Sequence, residues 1–246
     1  MIIAIIQART GSTRLPRKVL KEVCGKTLLE HEILRVKRAK LLNKIIIATT
    51  DKKEDDPIVE IAGKTGINFY RGSENDVLDR YYQAAKKHEA SDIVRLTGDC
   101  PLIDPKIIDL VIEYYLKNKN LFDYVSNVRP ATYPDGMDVE AFSFAALEKS
   151  WQAAKLISER EHVNAYIAKN LQIFRISNVE NKKDLSHLRM TIDKEADWRL
   201  IFKIYSGLYP NNHNFGLDDI LAFLNKRPDL VKLNSDFMRN EGYFKS

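Results

Sequence analysis

Four cations, Arg9, Arg14, Arg17 and Lys18, crowd the stretch from Gln7 to Lys18, with Gly11, Ser12 and Thr13 among them. A glycine- and hydroxyl-rich turn exposes backbone N–H groups, and arginine forks grip phosphate through two parallel hydrogen bonds. The stretch directly follows the apolar run Ile2–Ile6. It reads as a phosphate cradle. It lacks the Walker spacing, because no Gly-Lys-Ser/Thr follows a glycine at the required distance. The competing role is a solvated basic loop.

Asp99 and Asp193 form a second constellation, 94 residues apart, each at the end of an expected strand. A parallel sheet could set them side by side. Two carboxylates in one place repel unless a cation lies between them. Mg²⁺ suits such a pair, because it takes a few carboxylates together with substrate phosphates. Capping is the alternative: Asp99 before Pro101, and Asp193 before a helix near Lys194. Arg71 leaves a further strand and is a candidate for nucleotide contact. Arg80, four residues after Asp76, is expected to pair with it on a helix surface. Arg160-Glu161-His162 and Tyr133 with Glu140 are weaker signals. No serine or cysteine shows a nucleophile pattern, which argues against a covalent hydrolase. The basic residues Lys226, Arg227, Lys232, Arg239 and Lys245 read as solvated surface.

These groups need a frame, and the first half supplies one. Buried strands are expected at Ile2–Ile6, Lys44–Thr49, Ile67–Tyr70 and Asp92–Leu96. Helices are expected at Leu28–Lys40, from Asp55-Asp56-Pro57 onward, at Asp76–His88 and at Ile107–Lys117. This βαβ alternation calls for a mostly parallel sheet covered by helices on both faces, with ligands at the carboxyl ends of the strands. In the second half, Tyr124–Asn127 and Val139–Phe142 are expected strands. Thr132–Met137 is a turn, Ser143–Lys155 a helix, and Ser158 begins another. Arg189–Asp193 is a late strand, followed by a helix at Asp197–Leu208.

Composition fits this picture. The chain has 246 residues, 44% hydrophobic and 30% charged, the profile of a globular protein. The length suits one α/β domain over 1–246, with or without a small appendage. No apolar run approaches the ~20 residues that cross a bilayer, so no membrane association is expected. The N-terminal run lacks a basic leader and a cleavage site, and reads as a strand. A net charge of +5 is too mild to demand nucleic acid and is compatible with a phosphorylated small molecule. Cys24 and Cys100 form no CxxC pair and point to a reducing cytoplasm.

Taken together, several segments resemble the sugar-acid cytidylyltransferases, the superfamily of acylneuraminate and 3-deoxy-manno-octulosonate cytidylyltransferases. The spore coat polysaccharide biosynthesis branch is the most similar. The segments are Ile5-Ile6-Gln7-Ala8-Arg9-x-Gly11-Ser12-Thr13-Arg14-Leu15-Pro16-x-Lys18, Ala48-Thr49-Thr50-Asp51, Tyr70 to Tyr81, Arg95 to Asp104, Tyr133-Pro134-Asp135-Gly136, Arg160 to Val163 and Arg189-x-Thr191-x-Asp193. They span residues 1 to about 200. The chain departs from the octulosonate branch at Gln7, where those enzymes carry proline, and at Thr97, near their glutamine.

The resemblance implies a three-layer α/β/α Rossmann-like nucleotide-diphospho-sugar transferase fold. It implies CMP transfer from CTP to the anomeric hydroxyl of a nonulosonic or octulosonic acid, for surface or spore-coat polysaccharide. It implies Mg²⁺ on Asp99 and Asp193, with Arg14 and Lys18 also catalytic. Ala8, Arg9, Gly11, Ser12, Thr13, Arg14, Lys18, Thr49, Asp51, Arg71 and Thr97 fall at nucleotide-binding positions. Tyr133, Asp135, Glu140, Arg160 and His162 are candidates for the acceptor pocket. A homodimer is implied, with residues 124–170 reaching towards the partner. Two other readings stay open: a glycosyltransferase on the same architecture, and a non-catalytic nucleotide-binding homologue. Cys100-Pro101 after Asp99 breaks the Asp-x-Asp of the former, and the retained Arg14, Lys18, Asp99 and Asp193 speak against the latter.

Overall fold

The computed structural model describes residues 1–239. Seven strands form one sheet: β1 (Ile2–Gln7), β4 (Lys44–Thr50), β5 (Asn68–Gly72), β6 (Asp92–Thr97), β7 (Tyr124–Ser126), β8 (Glu140–Ser143) and β9 (Ile176–Asn178). Their order is β5-β4-β1-β6-β8-β7-β9. β5, β4, β1 and β6 run parallel, as the βαβ alternation requires. β8 pairs antiparallel with both β6 and β7, and β9 runs parallel to β7. A small hairpin, β2 (Glu22–Val23) and β3 (Lys26–Thr27), stands apart. Cys24 (φ 51°) and Gly25 (φ 75°) turn it, the backbone a two-residue hairpin demands.

Helices cover both faces. β1 shows why: Ala4 and Ile6 join one apolar cluster, and Ile3 and Ile5 join the other. Successive strand side chains point to opposite faces, so a strand buried on both sides reads as an unbroken apolar run. The larger cluster takes α1 (Leu28–Val36), α2 (Asp56–Thr65), α4 (Pro105–Asn118), α8 (Glu195–Leu208) and α9 (Leu217–Asn225). The smaller takes α3 (Val77–Lys87) and α5 (Phe144–Ala153), with α6 (Ile157–Glu161) and α7 (Ala165–Lys169) beside them. A short α10 (Pro228–Val231) follows. Caps fix several starts. Thr27 and Glu30 form a reciprocal box on α1, Asp76 accepts from Asp79 N on α3, and Asp104 precedes Pro105 on α4.

Four expectations change. The first helix ends at Val36 rather than Lys40, because the Asp109 carboxylate takes the N–H groups of Lys40 and Leu41. Arg189–Asp193 is not a strand. Only Arg189 forms a bridge, to Asp135, and the backbone bonds of the stretch are divided between two loops. β9 and the β2–β3 hairpin are additions. Their strands have two or three residues each, too few for an alternation to register.

Candidate active site

The cationic loop is folded back on itself and bolted to the sheet. Ser12 N and Arg17 N both donate to Thr10 O. Thr10 in turn donates its backbone N–H and its hydroxyl to Asp55 Oδ1, each at 2.7 Å, and Thr50 Oγ1 donates to the other Asp55 oxygen. Asp55, expected only to start a helix, therefore ties the loop after β1 to the loop after β4. These bonds hold its carboxyl below the ordinary range against a burial effect that would raise it. On the other side the loop meets Gly98. A Cβ there would lie 2.9 Å from both Ala8 Cβ and Gln7 O, so only glycine lets the β1 and β6 loops touch.

Asp99 and Asp193 meet. Asp99 O accepts from Ile192 N (2.9 Å) and Thr191 Oγ1 (3.0 Å), which docks the 189–193 segment against the end of β6. Gly136, at φ 97°, permits the approach from the far side: a Cβ would lie 2.6 Å from Met190 C. The two carboxylates then share one cation. Lys18 Nζ stands 2.8 Å from Asp99 Oδ2 and 2.6 Å from Asp193 Oδ1. Burial alone would lower the Lys18 pKa, but the two carboxylates raise it above its usual value. Burial would likewise raise Asp99, and Lys18 brings it down to about 2. Capping is thus not the role of these side chains: at the start of α8 the Asp193 and Lys194 N–H groups donate to Asp197. Arg14 Nη2 also reaches Asp193, at 3.0 Å.

A divalent ion fits this donor set. Two carboxylate oxygens address a single position that a cationic nitrogen takes here. Among the described residues no group of three or more His, Cys, Asp or Glu is placed to hold a metal ion by itself. The protein would supply two oxygens and leave the rest to phosphate and water, the habit of Mg²⁺.

The acids border a cleft of about 490 Å³. Of the residues singled out from sequence, Arg14, Thr97, Asp99, Asp135, Glu140, His162 and Asp193 line it. Burial pushes the His162 pKa below its usual value. Burial and the neighbouring Asp138 push the Asp135 carboxyl up to about 7, against Arg239 and Arg189. Other expected contacts point elsewhere. Lys18 contacts both acids but does not line the cleft. Arg9 pairs with Glu74 at 3.2 Å. Arg71 is a clamp on the chain: Nε donates to Thr50 O, Nη2 to Lys52 O, and Nη1 pairs with Asp56 at 2.6 Å. Arg160 binds Asp76 (2.6 Å) and Trp151 O, so it braces α3 rather than facing an acceptor. Arg80 therefore does not take Asp76. It is buried and donates to the carbonyls of Ser73 and Glu74. Tyr133 is buried in the larger cluster. Thr49 is buried, Asp51 is exposed with its N–H on Gly72 O, and Ala8, Gly11, Ser12 and Thr13 lie in the loop outside the cleft wall.

Sequence reasoning passed over Arg95, Arg129, Asp138, Asn164 and Arg189, all on the cleft wall. Arg189 bridges three acids, Asp135 (2.8 Å), Asp193 (3.4 Å) and Asp197 (2.9 Å). Arg95 carried a signal, a charge inside a buried strand. Arg239 is not free surface: it pairs with Asp138 and donates to Tyr133 O. Lys245 lies outside the described residues.

A mostly parallel sheet with a cationic loop after its first strand, and with acids converging at the carboxyl end of β6, defines a nucleotidyltransferase of Rossmann-like fold. The chain belongs to the cytidylyltransferase family, which matches residues 3–218. It is 43% identical over 244 residues, 98% of this chain and 97% of the other, to an uncharacterized protein of Methanocaldococcus jannaschii. It is 31% identical over 240 residues, 93% and 95% of the two chains, to the spore coat polysaccharide biosynthesis protein SpsF of Bacillus subtilis. A solved cytidylyltransferase from Leptospira borgpetersenii superposes with a TM-score of 0.89 at 35% identity, covering 98% of this chain and 97% of that one. A CMP:2-keto-3-deoxy-manno-octonic acid synthetase shares the fold, with a TM-score of 0.63 at 17% identity over 84% of this chain and 98% of the other.

Proposed function

We propose that the protein transfers CMP from CTP to the anomeric hydroxyl of a nonulosonic or octulosonic acid and releases pyrophosphate, in the making of a surface or spore-coat polysaccharide. The observation that carries this reading is the meeting of Asp99 and Asp193 on one cation beside a cationic loop. The cleft of about 490 Å³ beside the two acids, the matched family and the similarity to SpsF support the reading.

In this reading Asp99 and Asp193 would hold Mg²⁺, and Lys18 is the cation placed to take phosphate beside them. The ion, when bound, neutralises triphosphate charge and acidifies the attacking hydroxyl. Arg14, on the cleft wall, turns from Asp193 to the departing phosphates. Asp55 keeps the loop in one shape, so little reorganisation remains at the moment of reaction. Glu140 and His162 belong to the acceptor side of the same cleft. The enzyme works as a homodimer. Leu156 (58% exposed) and Ile157 (84% exposed) lie side by side in the 124–170 region and give such a contact its apolar centre. The free thiols Cys24 and Cys100 support a reducing compartment, the cytoplasm.

A pyrophosphate-release screen tests this: four nucleoside triphosphates crossed with nonulosonic and octulosonic acids, with and without Mg²⁺. Release with CTP, an acid and Mg²⁺ together is expected. Release that needs no acid, or prefers another triphosphate, contradicts the reading.

A further inference from the structure

β6 carries a charge where a core strand has no structural need of one. Arg95 stands between Val94 and Leu96, both buried. Across the antiparallel β6/β8 pair its register partner is Glu140. Arg95 Nη1 lies 2.5 Å from Glu140 Oε1, with the two side chains only 13% and 4% exposed. Desolvating such a pair costs about what the attraction returns, and apolar residues of similar volume are often as good or better. Stability alone does not account for it.

The pair also has polar atoms to spare. Asn164 Nδ2 donates to the same Oε1, at 3.0 Å. Arg95 Nε is buried and lacks a hydrogen-bond partner among the described residues, and Glu140 Oε2 and the neighbouring Tyr124 hydroxyl make no well-aligned bond. Buried polar groups are normally satisfied, and an unmet donor with poorly matched neighbours around one ion pair is unusual. Arg95, Glu140 and Asn164 line the cleft. Ile93 and Phe142, one step along the same face, belong to the smaller apolar cluster. The sheet face therefore changes from apolar to polar where the cleft begins.

Position says what could reach the pair. Arg95 is set back two residues, roughly 7 Å of strand, from Thr97, after which the Asp99 turn begins. In a 2-ulosonic acid the carboxylate sits on the carbon next to the one that bears the reacting hydroxyl, so both stay near Asp99. Only a more distant ring or tail substituent extends to Arg95. The pair is neutral overall and sets N–H donors beside a carboxylate acceptor. That suits a substituent that donates and accepts at once.

We propose that the Arg95–Glu140 pair is the specificity-determining element of the acceptor subsite, reading a neutral donor–acceptor group on the sugar acid remote from the reacting hydroxyl, a hydroxyl-bearing carbon or an acylamino group. This rests on the acceptor being a sugar acid, as proposed above.

The test is calorimetric binding of three probes: N-acetylneuraminic acid, its analogue with hydroxyl in place of the acylamino group, and 3-deoxy-D-manno-octulosonic acid. Wild type is compared with Arg95→Lys and with the double variant Arg95→Gln/Glu140→Gln, which keeps a hydrogen-bonded neutral pair and avoids an uncompensated buried charge. CTP affinity and pyrophosphate release are measured on the same preparations. Wild type is expected to spread its three dissociation constants at least tenfold. The first two probes show whether amide or hydroxyl is read. The double variant should compress the spread below threefold with CTP affinity within twofold, and Arg95→Lys should fall between. An unchanged spread in the double variant, a parallel loss of CTP affinity, or wild type that binds none of the acids or all alike overturns the proposal. Failure of the cytidylyl-transfer reading shows separately, as wild type without CTP binding or pyrophosphate release.

Discussion

The two ends of the cleft handle charge differently. At one end a single lysine divides itself between Asp99 and Asp193, with Arg14 at the margin. At the other, guanidinium groups hold the carboxylates: Glu140 has Arg95, Asp138 has Arg239, and Arg189 holds Asp135 while also reaching Asp193 and Asp197. One cation shared by two acids, on a flexible side chain, can be exchanged for another. Guanidinium groups held among buried carboxylates are in place before any ligand arrives. The first arrangement suits a site that takes up an ion with a polyanion, and the second a site that reads shape and hydrogen bonding.

That contrast breaks most visibly at the shared end. Asp99→Asn or Asp193→Asn should lower kcat by about 10²- to 10³-fold, because charge stabilisation acts mainly in the transition state. Steady-state pyrophosphate release checks it, and a loss under tenfold would remove the distinction between the ends.

Gly136 joins the two ends, since it lets residues 190–191 pass. Gly136→Ala must adopt φ 97° and relieve a 2.6 Å contact. A loss of about 2–4 kcal/mol in urea unfolding is expected. A near-neutral result would mean that the 189–193 segment docks more loosely.

Asp99 gives the shared end a signature in acid. Its pKa is lowered on folding, so its contribution to stability is complete above the unfolded value near 4 and disappears as pH falls through about 2. About 2 kcal/mol should be lost between roughly pH 5 and pH 2, and Asp99→Asn should lack that share of the acid limb. Denaturant midpoints against pH measure it.

The smallest effect on activity is expected at Arg71. Its fork is committed to Thr50 O, Lys52 O and Asp56. Arg71→Gln should change CTP affinity less than threefold and cost about 1–2 kcal/mol of stability. A larger affinity loss would return Arg71 to the nucleotide and extend the exchangeable end beyond the cleft wall.

Much of the frame was legible in the residues. β1 and most of β4 are apolar runs, β6 is one apart from Arg95, and the βαβ rhythm gave their parallel pairing, so the loop at 7–18 and Asp99 fell at strand ends as expected. Spacing left open whether Asp99 and Asp193 meet, and the bonds of the Thr191 hydroxyl and the Ile192 N–H to Asp99 O bring them together. The 189–193 segment has strand-like alternation without a ladder to join, and alternation alone cannot supply a neighbour. Arginine partners were the least legible feature. Arg71, Arg160 and Arg239 each have a carboxylate and a carbonyl within reach, and the choice among acids is made by the folded chain, not by spacing. Arg95 was readable in principle, as a charge that a buried strand must have some reason to keep.

Calorimetric titration of CTP into the wild-type protein, once with Mg²⁺ and once with a chelator, tests most directly whether Asp99 and Asp193 serve a divalent ion shared with the nucleotide. Binding at least tenfold tighter with Mg²⁺ is expected, with that difference collapsing in Asp99→Asn and Asp193→Asn. Equal CTP affinity with and without the ion in the wild type, or a difference that survives both substitutions, would contradict the account.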